Sequence, residues 1–356
     1  MDFISPVLQK NKTDIKSISL DELTQFVTSL GEQPYRARQI FRWLHRGVYD
    51  FDKMSDLSKA LAQKLCDNAY INRLAIEKKL VSKLDFTVKY LFKLMDSNYI
   101  ETVVMKYKHG YSICVSSQAG CRMGCRFCQS TKGGLIRNLT ASEILDQIIY
   151  AQNDLSVRIS NIVMMGIGEP LDNYDNVLKF LKIVNEPLGL GIGYRHISLS
   201  TCGLCDCIDK LAAEGLPITL SISLHQSFND KRSELMPVNR KYSLGMLIDA
   251  CRRYQAKCGR RISFEYALIE GVNDSEKDAE NIAKLLKGIM CHVNIIPVNT
   301  IKDSKYKRPG AGAVEHFQQL LLNYKINATV RRTLGGDINA SCGQLRSSLC
   351  QEEGNT

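Results

Sequence analysis

The sequence predicts an α/β protein: a partial parallel (β/α) barrel preceded by a small helical domain. Three observations carry this. From Tyr111 onward, short runs rich in β-branched and aromatic residues alternate with segments of helical period. Before Ala75 the apolar period is helical. The 356 residues exceed one ordinary domain and can bury a sizeable core. Repeated βα units imply a parallel sheet, because the right-handed crossover returns each strand beside its predecessor.

In chain order, residues 1–75 form the helical accessory domain. Leu20, Leu23, Phe26, Val27 and Leu30 fall on one face of a helix over Ser19–Ser29, which Gly31 closes. Pro34 opens a second helix, Tyr35-Arg-Ala-Arg-Gln-Ile-Phe-Arg-Trp43-Leu-His-Arg46. A third is expected over Asp56–Asn68. Arginines interleaved with Tyr35 and Trp43 suit RNA through phosphate contacts and base stacking; they equally suit an amphipathic helix with Trp43 packed inward. Residues 76–110 read as a β-rich linker, with strands at Thr87–Leu94 and Tyr99–Tyr107 and turns at Asp96–Asn98 and His109–Gly110. Residues 111–350 form the barrel core. It starts at the strand Tyr111–Ser116 and continues with strands at Ile162–Met165, His196–Ser200, Ile218–Leu224, Ile262–Ile269, His292–Ile296 and Ala328–Arg332. Helices are expected at Asn176–Val184, Cys207–Ala213, Ser243–Lys257, Glu276–Leu286 and Val314–Leu322. Residues 351–356 are a polar, frayed tail. In such a barrel the site lies at the C-terminal ends of the strands.

Composition narrows the class. A net charge of +10 favours a polyanionic partner, or marks an ordinary basic enzyme. Thirteen cysteines in a chain of this length do not make a small disulfide scaffold. No signal peptide and no membrane span are expected, which points to a reducing cytoplasm.

The chemistry concentrates in Cys121-Arg-Met-Gly-Cys125-Arg-Phe-Cys128. Three thiolates at C-x3-C-x2-C hold three irons of a 4Fe–4S cluster and leave the fourth open to a chelating molecule, whereas a closed structural site takes four protein ligands. The other readings are a zinc site, which lacks its paired C-x2-C halves and histidines here, or three cysteines that lie close without a shared role. At the next strand end, Gly166-Ile-Gly168-Glu169-Pro170 exposes backbone and one carboxylate that can accept an ammonium or ribose hydroxyl. It lacks the third glycine of a dinucleotide fingerprint, and Glu169 can equally cap the following helix. Ser200-Thr-Cys202-Gly203 and Ser223-Leu224-His225 continue a polar rim, with His225 also readable as a structural histidine. Asn299 offers an amide for an adenine edge, or a turn cap. Cys342, in Gly335-Gly-Asp-Ile-Asn-Ala-Ser-Cys342-Gly343, reads as a presented thiol. Cys114 stands on the strand that feeds the cluster loop, so these two thiols could meet during turnover; either could instead be a small buried hydrophobe. Cys202, Cys205 and Cys207 could form a second metal site, but no partner pair is evident. Cys66, Cys251, Cys258, Cys291 and Cys350 read as packing or surface thiols. The run Lys302–Pro309 is a candidate RNA contact or a solvated loop.

The cysteine loop, with Phe127 before its third cysteine, resembles that of radical S-adenosylmethionine (SAM) enzymes. There the open iron chelates the amino and carboxylate groups of SAM, and reduction cleaves SAM to a 5′-deoxyadenosyl radical. Cys114–Cys121, the cluster loop, Arg137-Asn-Leu-Thr140, Met164-Met-Gly-Ile-Gly-Glu-Pro170, Ser223-Leu-His225 and Asp337-Ile-Asn-Ala-Ser-Cys-Gly-Gln344 look, in order and over nearly the whole chain, like the RlmN family of RNA adenine C2-methyltransferases. The resemblance implies a TIM-like partial barrel of the radical SAM type, with one 4Fe–4S cluster on Cys121, Cys125 and Cys128. SAM would be bound by Gly168, Glu169, Ser200, Ser223, Leu224, His225 and Asn299. Cys342 would carry the methyl group, Cys114 would be its disulfide partner, and Glu101 would accept a proton. The implied substrates are an adenosine of 23S rRNA, in the peptidyl transferase centre, and the adenosine beside the anticodon of some tRNAs. An external electron donor of flavodoxin or ferredoxin type, a monomer and a cytoplasmic location are also implied.

Adenine C2 has no lone pair for direct attack on the SAM methyl. The implied route therefore methylates Cys342 first, then uses a second SAM to make a methylene radical that adds to C2. Cys114 finally attacks the Cys342 sulfur and frees the product. The related C8-methylating Cfr group shares the cluster, both cysteines and Glu101; the Gly-Glu-Pro and Arg-Asn-Leu-Thr runs look more like the C2 group. A reading of another class is a non-catalytic, metal-containing RNA-binding protein, against which the open three-cysteine loop and the spare cysteine pair speak.

Overall fold

A computed structural model describes residues 12–298, 306–338 and 340; Asn299, Lys302, Lys305, Cys342 and Cys350 lie outside them. In the N-terminal module, β1 (Thr13–Asp14) pairs in parallel with β2 (Ala69–Tyr70) around α1 (Leu20–Ser29), α2 (Tyr35–His45) and α3 (Lys59–Asn68). Ser19 starts α1 with a capping box. Its hydroxyl accepts from the Glu22 N–H at 3.2 Å, and its own N–H donates to Glu22 Oε2 at 2.7 Å. The third helix begins at Lys59 rather than Asp56, because the Ser58 hydroxyl caps it by accepting from the Leu61 N–H. On α2, Ala37, Ile40, Phe41 and Leu44 point inward while Arg38, Arg42 and Arg46 are exposed. Trp43 is half-buried against the core, its indole N–H donates to Asp56, and the Arg46 guanidinium stands 5.4 Å from its ring.

The remaining elements build the barrel. They are β3 (Ala75–Val81), β4 (Val88–Lys93), β5 (Tyr99–Tyr107), β6 (Gly110–Cys114), β7 (Gln118–Gly120), β8 (Leu135–Asn138), α4 (Ala141–Leu155), β9 (Ile159–Met164), α5 (Tyr174–Asn185), β10 (Ile197–Thr201), α6 (Cys205–Glu214), β11 (Thr219–Ser223), α7 (Asn229–Leu235), α8 (Leu244–Cys258), β12 (Ile262–Leu268), α9 (Glu276–Leu286), β13 (Cys291–Pro297), α10 (Ala311–Asn323) and β14 (Ala328–Val330). Among the described residues ten strands form one sheet, β14-β13-β12-β11-β10-β9-β6-β5-β4-β3. It is parallel from β14 to β6 and antiparallel from β6 to β3. The strands of the β-rich stretch after residue 75 thus extend the barrel sheet itself.

After β14 the chain crosses from one sheet edge to the other. The Gly335 N–H donates to Asp85 Oδ2 at 2.8 Å, and Asp337 accepts from the Ser82 hydroxyl at 2.7 Å and the Lys83 N–H at 2.9 Å. No described helix is long and apolar enough to cross a membrane.

The sequence reading named no helix at α4, which is buried on nearly every side between the sheet and the N-terminal module. Toward the sheet, Gln147 accepts from Thr102 and from the Ser116 N–H, and donates to the Ser116 carbonyl. Toward the module, Asp146 meets Lys16 at 2.6 Å with both side chains fully buried, and Tyr49 donates to the same carboxylate. The Lys16 ammonium also lies 4.0 Å from the Tyr49 ring centre. Burial lowers the affinity of Lys16 for its proton and pushes Asp146 up to about 6. Removing one partner of such a pair strands the other. Asp146→Ala should therefore cost about 3–5 kcal/mol in urea unfolding, and the double change Lys16→Met, Asp146→Leu should recover most of it. A loss in the single variant of under about 1 kcal/mol, the scale of an exposed pair, would show that water already relieves the pair.

Candidate active site

The cysteine loop is the tip of a hairpin. Its stems β7 and β8 pair at Gln118–Asn138, Ala119–Arg137 and Gly120–Leu135, and the Cys121 N–H donates to the Gly134 carbonyl at 2.8 Å. Within the loop, the Cys128 N–H donates to the Cys125 carbonyl, and the Thr131 hydroxyl donates to the carbonyls of Cys125 and Cys128. The run Arg137-Asn-Leu-Thr140 serves this hairpin and α4. Arg137 forms a two-pronged contact with Glu143, Asn138 accepts from Gln118, and Thr140 caps α4.

The loop after β9 lies against the hairpin stem. Gly168 has a φ of +107°, and a Cβ there would stand 2.6 Å from the Gln118 Cβ and 2.8 Å from its backbone nitrogen, so only glycine fits. The Glu169 N–H donates to the Gln118 side chain at 2.8 Å. Its carboxylate accepts from the Leu171 N–H at 3.1 Å and the Cys202 N–H at 2.8 Å. Glu169 thus caps the turn that follows it and also faces the cavity. Burial raises its proton affinity, against the pull of those N–H donors.

A cavity of about 170 Å³ collects the polar rim. Cys121, Cys125, Cys128, Gly168, Glu169, Ser200, Ser223 and His225 all line it. The hydroxyls of Ser200 and Ser223, on adjacent strands, stand 3.5 Å apart. His225 adopts a φ of +52°, which turns its ring back so that Nδ1 accepts from the Ala267 N–H at 2.9 Å. That bond leaves the proton on Nε2, and burial followed by the charge of Arg232 drives the ring down to about 3, so it is a neutral donor. Phe127 meets it edge to face at 4.9 Å between ring centres. Leu224 does not line the cavity: its side chain is in the main core, its N–H goes to the Glu265 carbonyl, and its carbonyl accepts from Arg232. Asn299 lies outside the described residues.

Two contributors escaped the sequence reading. Arg232 is fully buried and donates to the carbonyls of Cys202, Ser223 and Leu224 and to Asn239, tying the ends of β10 and β11 together. Glu265 lines the cavity from β12, with one oxygen held by Ser263 and Asn294 and the other buried without a hydrogen bond. A charge in the middle of the strand Ile262–Leu268, which is otherwise apolar apart from Ser263, was the available signal for it.

Glu101 and Cys114 belong to the neighbouring face. Val103 pairs with Cys114 across β5 and β6, so Glu101, two residues along, projects from the same side. Glu101 is buried with Lys89 Nζ at 3.1 Å. Cys114 packs with Val103, Met105, Ile167 and Ala340. Met165 packs on that cluster and also lines the cavity, so it is the wall between them. Ala340 precedes Cys342 by two residues; Cys342 itself is outside the described part.

The three thiols fit an iron–sulfur cluster by their chemistry. Burial, and then the negative charge of Glu169 and Cys128, pushes Cys121 up to about 12, and burial with the other two thiols raises Cys125 likewise. Bare thiolates are therefore unfavourable there, and bound cationic iron reverses this. A cluster takes one thiolate per iron, so its ligands need a common cavity rather than one point of convergence. Among the described residues no three Cys, His, Asp or Glu stand together as ligands for a single metal ion.

Comparison with known proteins places this geometry. Residues 115–286 match the radical SAM superfamily, and residues 13–71 match the ribosomal RNA large subunit methyltransferase N-terminal domain. The chain is 53% identical over 96% of its length, and 99% of the relative's, to a probable dual-specificity RNA methyltransferase RlmN of Alkaliphilus oremlandii. It is 52% identical over 94% of its length, and 97% of the relative's, to the protein of the same name in Clostridium novyi. A crystal structure of a radical SAM methyltransferase from Sphaerobacter thermophilus superposes with a TM-score of 0.89, at 42% identity, covering 94% of this chain and 99% of that one.

Two outcomes follow from the cavity. Gly168→Ala should destabilise by about 1–3 kcal/mol from backbone strain, with overlap against Gln118 adding to it, in urea unfolding; wild-type stability would mean that the loop shifts freely. For His225, the folded value near 3 lies below the ordinary 6.5, so the stability held by the neutral ring is present above pH 6.5 and lost as pH falls toward 3. The urea-unfolding advantage of wild type over His225→Gln should shrink across that window, and a pH-independent difference would contradict the buried neutral ring.

Proposed function

Because this chain belongs to the RlmN family of dual-specificity RNA methyltransferases, within the radical SAM superfamily, we propose that it is a SAM-dependent enzyme that methylates C2 of adenosine. The substrates are 23S rRNA, at the peptidyl transferase centre, and tRNA, at the adenosine beside the anticodon. One observation carries the reading: the cavity that gathers Cys121, Cys125, Cys128, Glu169, Ser200, Ser223 and His225 shares the Met165 wall with the face bearing Cys114 and Glu101.

Cys121, Cys125 and Cys128 would hold a 4Fe–4S cluster, which when bound supplies the electron that cleaves SAM to a 5′-deoxyadenosyl radical. Glu169, Ser200 and Ser223 offer acceptors for the ammonium and ribose hydroxyls of SAM, and His225 offers a neutral Nε2–H donor. Gly168 lets backbone approach the ligand, and Asn299 completes the set. Cys342 carries the methyl group on its sulfur. Glu101, held in place by Lys89, takes the C2 proton. Once the crosslinked base has lost one electron and its C2 proton, the Cys114 thiolate attacks the Cys342 sulfur: an S–S bond forms, the carbon–sulfur bonding pair stays on the product's methylene, which takes up a proton to become the methyl group, and external reductant reopens the disulfide. The target base has to leave its stack to reach a cavity inside a barrel. The exposed arginines of α2 and the net charge of +10 supply phosphate contacts. Lys307 and Arg308, both exposed, add to them. The electron comes from an external flavodoxin- or ferredoxin-type donor, and the enzyme works as a cytoplasmic monomer.

The test is anaerobic. Reconstituted protein with SAM, reductant and unmodified rRNA or tRNA should yield 2-methyladenosine on nucleoside mass spectrometry. 8-Methyladenosine would move the chain to C8 chemistry, and neither product despite SAM cleavage would refute these RNAs as substrates. Cys342→Ala should give no methylated base. Cys114→Ala should trap an RNA–protein crosslink; free turnover by it would refute the resolving role.

A further inference from the structure

We propose that the turn between β3 and β4 is a positioning element for the methyl-carrying step, with the Asp85 and Asp337 carboxylates holding Gly335 and Asp337 in place ahead of Ala340, which packs in the cluster of Cys114. This rests on the reading of Cys342 as methyl carrier. The bridge is mutual. Asp85 sends one oxygen to the Thr87 N–H of its own turn at 3.1 Å and the other to the Gly335 N–H at 2.8 Å. Asp337 returns its two oxygens to the Ser82 hydroxyl and the Lys83 N–H. Ser82 also accepts from the Leu84 N–H, and its own N–H donates to the Thr87 carbonyl, so the turn is braced before it meets the crossing chain.

The crossing chain is equally constrained. Gly335 has a φ of +61°, and a Cβ there would stand 2.7 Å from the Ala340 Cβ and 2.9 Å from Thr87 Cγ2. The N–H groups of Ile338 and Ala340 both donate to the Gly335 carbonyl. Ala340 is 9% exposed and packs in the cluster that contains Cys114. Described contacts therefore fix the chain to within two residues of Cys342. In the proposed cycle that sulfur must meet first the base and then Cys114, and a disulfide tolerates only about 4.4–6.8 Å between Cα atoms. Slack of about an ångström in such a segment costs up to about 100-fold.

Asp85→Ala and Asp337→Ala should keep wild-type iron content and SAM cleavage. Methylated adenosine formed per 5′-deoxyadenosine should fall about tenfold or more. In the protein without cluster or RNA, formation of the Cys114–Cys342 disulfide under mild oxidant, read by peptide mass, should slow by a similar factor. Asp337→Asn, which keeps one acceptor, should fall between. If an alanine lowers the melting temperature, Ser82→Ala tests the same bridge with both carboxylates intact and should show the same uncoupling. Wild-type coupling and a wild-type disulfide rate in these variants would overturn the positioning role. Methylation by Cys342→Ala would instead overturn the carrier reading.

Discussion

The site depends on one buried carboxylate. Glu169 is 4% exposed, and among the described residues no lysine, arginine or histidine forms an ion pair with it. Two backbone N–H groups, from Leu171 and Cys202, take the place of a cation, and hydrogen bonds to a charged acceptor are worth about 1.5–3 kcal/mol each. Its own N–H reaches Gln118, whose amide continues to Asn138 and Asp172, and Asp172 holds Arg122 beside the first cysteine. A single run of bonds thus aligns the end of β10, the loop after β9 and the cysteine hairpin. Without it the three loops would share only their strands as a reference.

Arg232 is the counterpart of opposite sign. A guanidinium removed from water is costly unless its donors are used, and here carbonyls and an amide from three segments use them. The anion braces the mouth of the cavity from the β9 side and the cation from the β11 side. Both meet at Cys202, which donates its N–H to one and offers its carbonyl to the other. The polar lining is therefore preorganised by buried side chains that bond largely to main-chain groups.

The parallel core was legible because its strands carry a local period. The predicted spans at Ile162, His196, Ile218, Ile262, His292 and Ala328 all fall on observed strands, and Glu276–Leu286 matches its helix at both ends. The helix α4 was not legible. Buried on nearly all sides, it has no single apolar stripe, and Asp146 and Gln147 meet Lys16 and Thr102, partners distant in sequence. Arg232 was invisible for the same reason: on a short helix it reads as one more surface charge. Leu224 shows the converse limit: the motif marks the position, but its side chain belongs to the core. Glu169 was read two ways, as a cap and as a ligand group, and its geometry serves both.

Among the described residues, the hydrogen bonds between the β3–β4 turn and the chain after β14 span a very long stretch of sequence. Ser82 and Asp337 are 255 residues apart, Asp85 and Gly335 250. Closing so long a loop is less costly than it sounds, about 3 kcal/mol more than an eight-residue turn, at about 0.6 kcal/mol per doubling. Its timing is another matter. At about 5–20 residues per second of synthesis, the turn waits roughly ten seconds to a minute for its partner to emerge. Through that interval Asp85 and Ser82 are without the partners that the crossing segment supplies. The bridge therefore forms late in synthesis, after every cysteine of the hairpin has long since emerged.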